Sequence, residues 1–271
     1  MIDSSLFMVD IPAGTYAAGD KLTLDIKAGP AVVRSGRGSA LLKRATVGII
    51  AQTSGALSYW KVEIKNSDWI DGMISLTAPL VTTTSLDERS GCVQRGNDCP
   101  LTPNSSWQVE ATCLVAATTT VANEMFALID IDYPAVSSIV DPDTLPGIPS
   151  SVDFTAPSTI TVHAPGSSSS ATWDVFNTDF FKAGYEYALQ KLEVVNSGGN
   201  GFIALANAAG MAGLQRIIPI SGVPEAIRNK VEYATKLVKG PMDVKFMMFV
   251  SSGSASTATP EVILDFVKRK V

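Results

Sequence analysis

The chain has 271 residues, of which 46% come from the set AVILMFWYC and only 17% are charged. That balance fills well-packed cores and excludes a globally disordered chain. The net charge of −5 divides into 10 basic and 14 acidic residues over 1–140, and 11 and 12 over 141–271. Neither half is basic overall, so sequence-specific nucleic-acid binding is not indicated.

Met1-Ile2-Asp3-Ser4-Ser5 lacks the basic start and apolar run of a secretion signal. No stretch reaches the roughly 18 apolar residues that cross a bilayer. The expectation is a soluble protein made inside the cell. The dominant period is then two, the strand period. Leu22-Thr23-Leu24-Asp25-Ile26-Lys27 and Lys61-Val62-Glu63-Ile64-Lys65 alternate strictly. Between them, from Lys27 to Lys61, stand six basic residues (Lys27, Arg34, Arg37, Lys43, Arg44 and Lys61) and no acid. In an acidic chain this is a local positive patch, suited to a neighbouring acidic subunit, a lipid headgroup surface or nucleic-acid phosphate.

Cys92 and Cys99 flank a polar loop and Cys113 sits in an apolar strand. Three cysteines are not a disulfide framework, and the spacing reads as two reduced loop thiols and one core thiol. Trp107 to Val115 and Met125 to Tyr133 are further strands. Ser137 to Pro157 holds Pro142, Pro146, Gly147, Pro149 and Pro157. Such a spacer is extended and semi-rigid, which gives a sandwich over 1–140, a Pro-rich linker over 141–157 and a second sandwich over 158–271.

His163, the one histidine, alternates with its neighbours in a strand after the linker and has no nucleophile partner in view. Gly199-Asn200-Gly201-Phe202-Ile203-Ala204 follows the strand Leu192 to Val195 and fits the dinucleotide fingerprint, which needs a helix directly after it. The helix comes later: Pro224 and the Ile227, Val231, Ala234, Val238 stripe predict one over 224–239, stopped by Gly240-Pro241. Val244 to Val250 and Val262 to Val267 close the chain as strands before Lys268-Arg269-Lys270. Residues 107–133 also slide by 135 places onto 242–268, bringing Asp130 onto Asp265, the pattern of a tandem duplication.

The fold class is therefore mostly β: two tandem antiparallel β-sandwich, jelly-roll-like units with one short helix. No nucleophile, zinc or phosphate-loop constellation is present, so the expectation is no enzyme and no cofactor. This layout over the whole chain resembles the double-jelly-roll major capsid proteins of small icosahedral bacteriophages with an internal membrane. The resemblance implies a virion structural protein, assembled in the host cytoplasm, whose trimers form pseudo-hexagonal capsomers against neighbouring capsomers. It also implies that basic residues face the internal membrane or packaged genome, namely Arg34, Arg37, Lys43, Arg44, Lys268, Arg269 and Lys270. The alternatives are a decoration or tail-associated virion protein, and a carbohydrate-binding adhesin module using Tyr59, Trp60 or Trp69 as a sugar platform.

Overall fold

A computed structural model describes residues 2–36, 38–51, 58–69, 74–80, 91–94, 99–120, 122–133, 147–155, 160–163, 174–176, 181–196, 200–207, 210–219, 238–239, 245–251, 256–258 and 261–271. Every regular element among them is a strand. The N-terminal unit comprises β1 (Ile2–Ile11), β2 (Gly14–Tyr16), β3 (Lys21–Thr23), β4 (Asp25–Ala28), β5 (Ala40–Ala51), β6 (Ser58–Asn66), β7 (Ile74–Leu80), β8 (Gly91–Gln94), β9 (Pro100–Leu101), β10 (Trp107–Cys113), β11 (Ala117–Thr119) and β12 (Asn123–Asp132). The C-terminal unit comprises β13 (Ile148–Thr155), β14 (Ile160–His163), β15 (Asp174–Phe176), β16 (Tyr185–Asn196), β17 (Asn200–Asn207), β18 (Gly210–Pro219), β19 (Val238–Lys239), β20 (Lys245–Ser251), β21 (Ser256–Ala258) and β22 (Glu261–Lys270).

The two units are wound alike. In the first, one sheet runs β1-β12-β5-β8, with β4 outside β1, and the other runs β3-β10-β6-β7. In the second, the sheets run β13-β22-β16-β19 and β18-β17-β20, with β15 on the far edge of β20. Counting eight principal strands in chain order, each unit has first-eighth-third-sixth in one sheet and second-seventh-fourth-fifth in the other. This double Greek key is the jelly roll. β14 and β21 are additions on the β20 edge, where β14 pairs in parallel.

Alternation sets the N-terminal core. Trp60, Val62 and Ile64 of β6 and Val109, Ala111 and Cys113 of β10 are buried, and Lys61, Lys65, Gln108, Glu110 and Thr112 lie on the opposite, outer face. β12 departs from this pattern because both its faces are covered. Met125, Ala127, Ile129 and Ile131 join the core cluster, whereas Phe126 and Leu128, beside Met8 and Leu6 of β1, are buried on the reverse side. There the C-terminal unit supplies the cover: β18 lies along β1, and Phe202 of β17 meets Phe126 edge-on, with ring centroids 5.1 Å apart.

That reverse face also holds a buried ionic row. Ser4, Asp130 and Arg44 stand side by side on β1, β12 and β5. Ser4 Oγ donates to Asp130 Oδ1 at 2.7 Å, and Arg44 Nε and Nη2 donate to Oδ2 at 3.0 and 2.5 Å. Between Leu42, opposite Ile131, and Arg44, opposite Asp130, β5 carries one extra residue, Lys43, as a bulge. The C-terminal unit repeats the arrangement in its register: Ser151, Asp265 and Lys191 share a row, and Gln190 is the extra residue between Leu189, opposite Phe266, and Lys191.

Two expectations change. The helix over 224–239 lies outside the described residues except for its last two, and Val238–Lys239 form β19 paired with β16, since sheet pairing there overrides the helical stripe. Residues 148–155 of the expected linker are β13, paired with β22 throughout. Pro149 is tolerated because β13 is an edge strand. The glycine-rich loop opens β17, which pairs antiparallel with β18 and β20, so no helix follows it to receive a pyrophosphate.

Truncating Phe126 to Ala removes a ring between the two units and is expected to cost about 3–5 kcal/mol in urea unfolding. Breaking the buried pair with Arg44→Met is expected to cost about 3–5 kcal/mol. Combining Arg44→Met with Asp130→Leu is expected to cost clearly less than the sum of the two single changes, as a double-mutant cycle would show. On the outer face, the Lys65 Nζ hydrogen bond to Glu110 at 2.5 Å raises the Lys65 pKa and lowers that of Glu110. A lowered carboxylate contributes stability above its unfolded pKa of about 4.3, and a raised lysine contributes below about 10.4. Stability attributable to the pair, roughly 0.2–1 kcal/mol, is therefore present between those limits. It is lost as pH falls through the folded Glu110 value or rises through that of Lys65. Comparing melting curves of the parent and Glu110→Gln across pH checks this.

Candidate anionic-surface contact

The loop that carries Arg34 is held across the end of the N-terminal sandwich. Gly29 adopts φ +81°, and a Cβ there would lie 2.1 Å from the Ser4 carbonyl oxygen, so the chain passes that close only with glycine. Ser5 Oγ donates to the Pro30 carbonyl at 2.7 Å, Val32 bridges to Ser106, and the N–H of Val33 donates to the Ser105 carbonyl at 2.9 Å. Val33 is fully buried as a result.

Arg34 follows directly. Its backbone N–H donates to the Tyr133 hydroxyl at 3.0 Å, and its Nε sits 3.1 Å from Asp3 Oδ2. Asp3 is buried while Arg34 keeps 21% of its side chain exposed, so this cation is partly matched and partly offered to solvent. Gly36 and Gly38 both take positive φ around the next turn; Arg37 between them lies outside the described residues. Lys43 is half-buried in the β5 bulge.

Arg44 is placed differently from the expectation. Its guanidinium is buried against Asp130, because the bulge turns the residue after Lys43 onto the covered face of the sheet. Its charge is matched inside the protein and is not presented to a surface.

Lys268-Arg269-Lys270 is the end of β22 rather than a trailing tail: all three pair with β16, and Lys268 also pairs with Ile148 of β13. Arg269 Nη2 donates to Glu186 Oε2 at 2.7 Å, Lys268 is half-buried, and Lys270 is exposed. The N–H of Val271 donates to the Gly184 carbonyl at 3.0 Å. Arg34 and Lys43 stand beside the end of the eighth strand of their unit, and Lys268–Lys270 form the end of the eighth strand of theirs. The fold thus sets both basic groups at corresponding ends of the two jelly rolls, a placement that spacing along the chain does not reveal.

The other candidates resolve as follows. Trp60 is fully buried and edge-on to Tyr16 at 5.3 Å. Trp69 packs edge-on against Trp107 at 5.6 Å. Of the three proposed platform aromatics only Tyr59 is well exposed, and a sugar platform from the set does not form. Cys92 faces Thr46, while the Cys99 carbonyl accepts the N–H of Leu42. Those partners are far enough apart on β5 to separate the two cysteines by about 10 Å or more, beyond disulfide reach, and Cys99 carries a free thiol. Cys113 is buried, which raises its thiol pKa, and its Sγ donates to the Val115 carbonyl at 3.1 Å. His163 ends β14 opposite Ser251; its side chain lies outside the described residues. Among the described residues no cluster of three His, Cys, Asp or Glu side chains could hold a metal ion.

No family model matches the chain, and no curated protein matches it. Among solved structures it is similar to the PRD1 vertex protein P5, at 11% identity and TM-score 0.28 over 48% of this chain and 97% of that one. It is similar to the major capsid protein P2 of bacteriophage PM2, at 10% identity and TM-score 0.25 over 98% and 97%. It is also similar to PNGase F, a glycosylasparaginase from Flavobacterium meningosepticum, at 10% identity and TM-score 0.28 over 97% and 99%.

Proposed function

We propose that the chain is a virion structural protein, a shell subunit whose paired jelly rolls assemble as trimers into pseudo-hexagonal capsomers. The observation that supports this reading is the repetition of one eight-strand winding in two units packed side by side. A sheet buried on both faces ties the units into one block with two similar sets of flanks. Such a block tiles a surface by lateral contacts, and neighbouring copies would cover its strand edges. The role is that of a scaffold rather than an enzyme.

In this reading Arg34, Arg37, Lys43, Lys268 and Lys270 turn one end of the subunit toward an anionic surface, either the internal membrane or the genome. The Debye length falls from roughly 10 Å at 0.1 M salt to roughly 3 Å at 1 M. Salt should therefore release an exposed electrostatic contact while sparing apolar subunit contacts. Native mass spectrometry is expected to give trimers or larger closed particles across that salt range, with co-sedimentation on anionic liposomes lost at the high end. A monomer at high protein concentration would overturn the shell reading. Oligomers that come apart with salt, with no liposome binding at any salt, would move the basic groups to a subunit boundary.

A further inference from the structure

The contact between the two units of one chain has an unused counterpart on the surface. Within the chain, Phe202 of β17 packs on Phe126 of β12. Register locates the matching positions. The 135-residue spacing that relates Asp130 to Asp265 also relates β10 to β20. Thr112 then corresponds to Met247, and their partners Lys61 and Ala204 correspond in turn. Two residues before each stand Tyr59 and Phe202, on the same face of equivalent strands. Phe202 is buried, whereas Tyr59 is 40% exposed. Beside Tyr59 lie Leu114 and Val115, exposed by 43% and 55%, and the N–H of Leu114 donates to the Tyr59 carbonyl at 2.8 Å. An aromatic with two apolar neighbours is thus left on the surface at the place where the other unit buries its aromatic.

The receiving face is duplicated too. In the N-terminal unit Phe126 shares its row with Met8 and Gly48. In the C-terminal unit the corresponding row is Thr155, Glu261 and Asn196, and the neighbouring row is Asp153, Ile263 and Glu193. The receiving row is apolar at Phe126 and polar at Glu261, and the incoming ring changes in step from phenylalanine to tyrosine, which carries a hydroxyl.

We propose that Tyr59, with Leu114 and Val115, docks onto the outer face of β13-β22-β16 of a second copy of this chain, repeating between copies the packing that Phe202 makes within one. This rests on the self-assembly reading above and names its contact. The contact is heterologous, using different patches on the two copies, so it builds a ring when the rotation closes.

The test uses the full chain. Tyr59→Asp and Leu114→Asp, both at exposed positions, are expected to weaken oligomers by about 30-fold or more in dissociation constant, as loss of an aromatic anchor does, with an unchanged circular-dichroism melt. In a Cys92→Ser, Cys99→Ser background, Tyr59→Cys and Thr155→Cys chains are made separately and mixed. A short thiol cross-linker is expected to join one of each, and not two of a kind. If the parent oligomerises while both aspartate variants match it and no mixed cross-link forms, this docking contact is wrong and the shell reading stands. If the parent is a monomer, the shell reading itself fails. Should an aspartate variant not fold, the cross-link decides.

Discussion

Burial of β12 on both faces is the constraint on which the rest of the structure depends. A strand in an antiparallel sheet usually faces the core with alternate residues and water with the others. In β12 the residues from Asn123 to Ile131 are all buried. One set closes the N-terminal core, and the other, through Phe126 and Leu128, requires a second body to cover it. The C-terminal unit is that body, and Phe202 marks the contact. The two jelly rolls are consequently a pair by energetics as well as by covalent linkage, because separating them would expose Leu6, Met8, Phe126 and Leu128 together.

A buried polar row runs through the same face. Asp130 receives Ser4 and Arg44, so each charge removed from water is met by a partner of opposite sign or by a donor. Such pairs add little net stability, but breaking one leaves an uncompensated charge and penalises other registers. The bulge at Lys43 and its counterpart at Gln190 serve the same end. Each shifts the third strand by one residue, so that Arg44 rather than Lys43 comes level with Asp130, and Lys191 rather than Gln190 with Asp265. Repetition of row and bulge makes this the best-preserved local feature shared by the two units, in a chain whose halves otherwise share few identities.

The surface follows from what the pair leaves over. Each jelly roll has a receiving sheet and an inserting strand pair, and one of each is used up inside the chain. The inserting face around Tyr59, Leu114 and Val115 remains exposed, and Glu261 takes the place in the sequence that Phe126 holds in the first unit.

The strand class and the two-unit layout were legible in the sequence, because period-two alternation and turn residues act locally. Lys61 to Lys65 and Trp107 to Cys113 announce their buried sides one residue at a time. What the sequence could not settle was set by pairing at a distance. Pro149 reads as linker until β22 supplies the partner that makes it an edge-strand residue, and Val238 reads as helix until β16 pairs with it. Arg44 looks like one more surface cation beside Lys43; only the bulge, visible when β5 lies next to β12, turns it inward to Asp130. The basic groups at 34–43 and 268–270 are more than two hundred residues apart in the chain, and only the shared winding shows that they occupy corresponding ends. Composition and alternation therefore determined which faces are apolar, and tertiary structure decided what covers them, since a strand's second face is assigned by whichever element packs there.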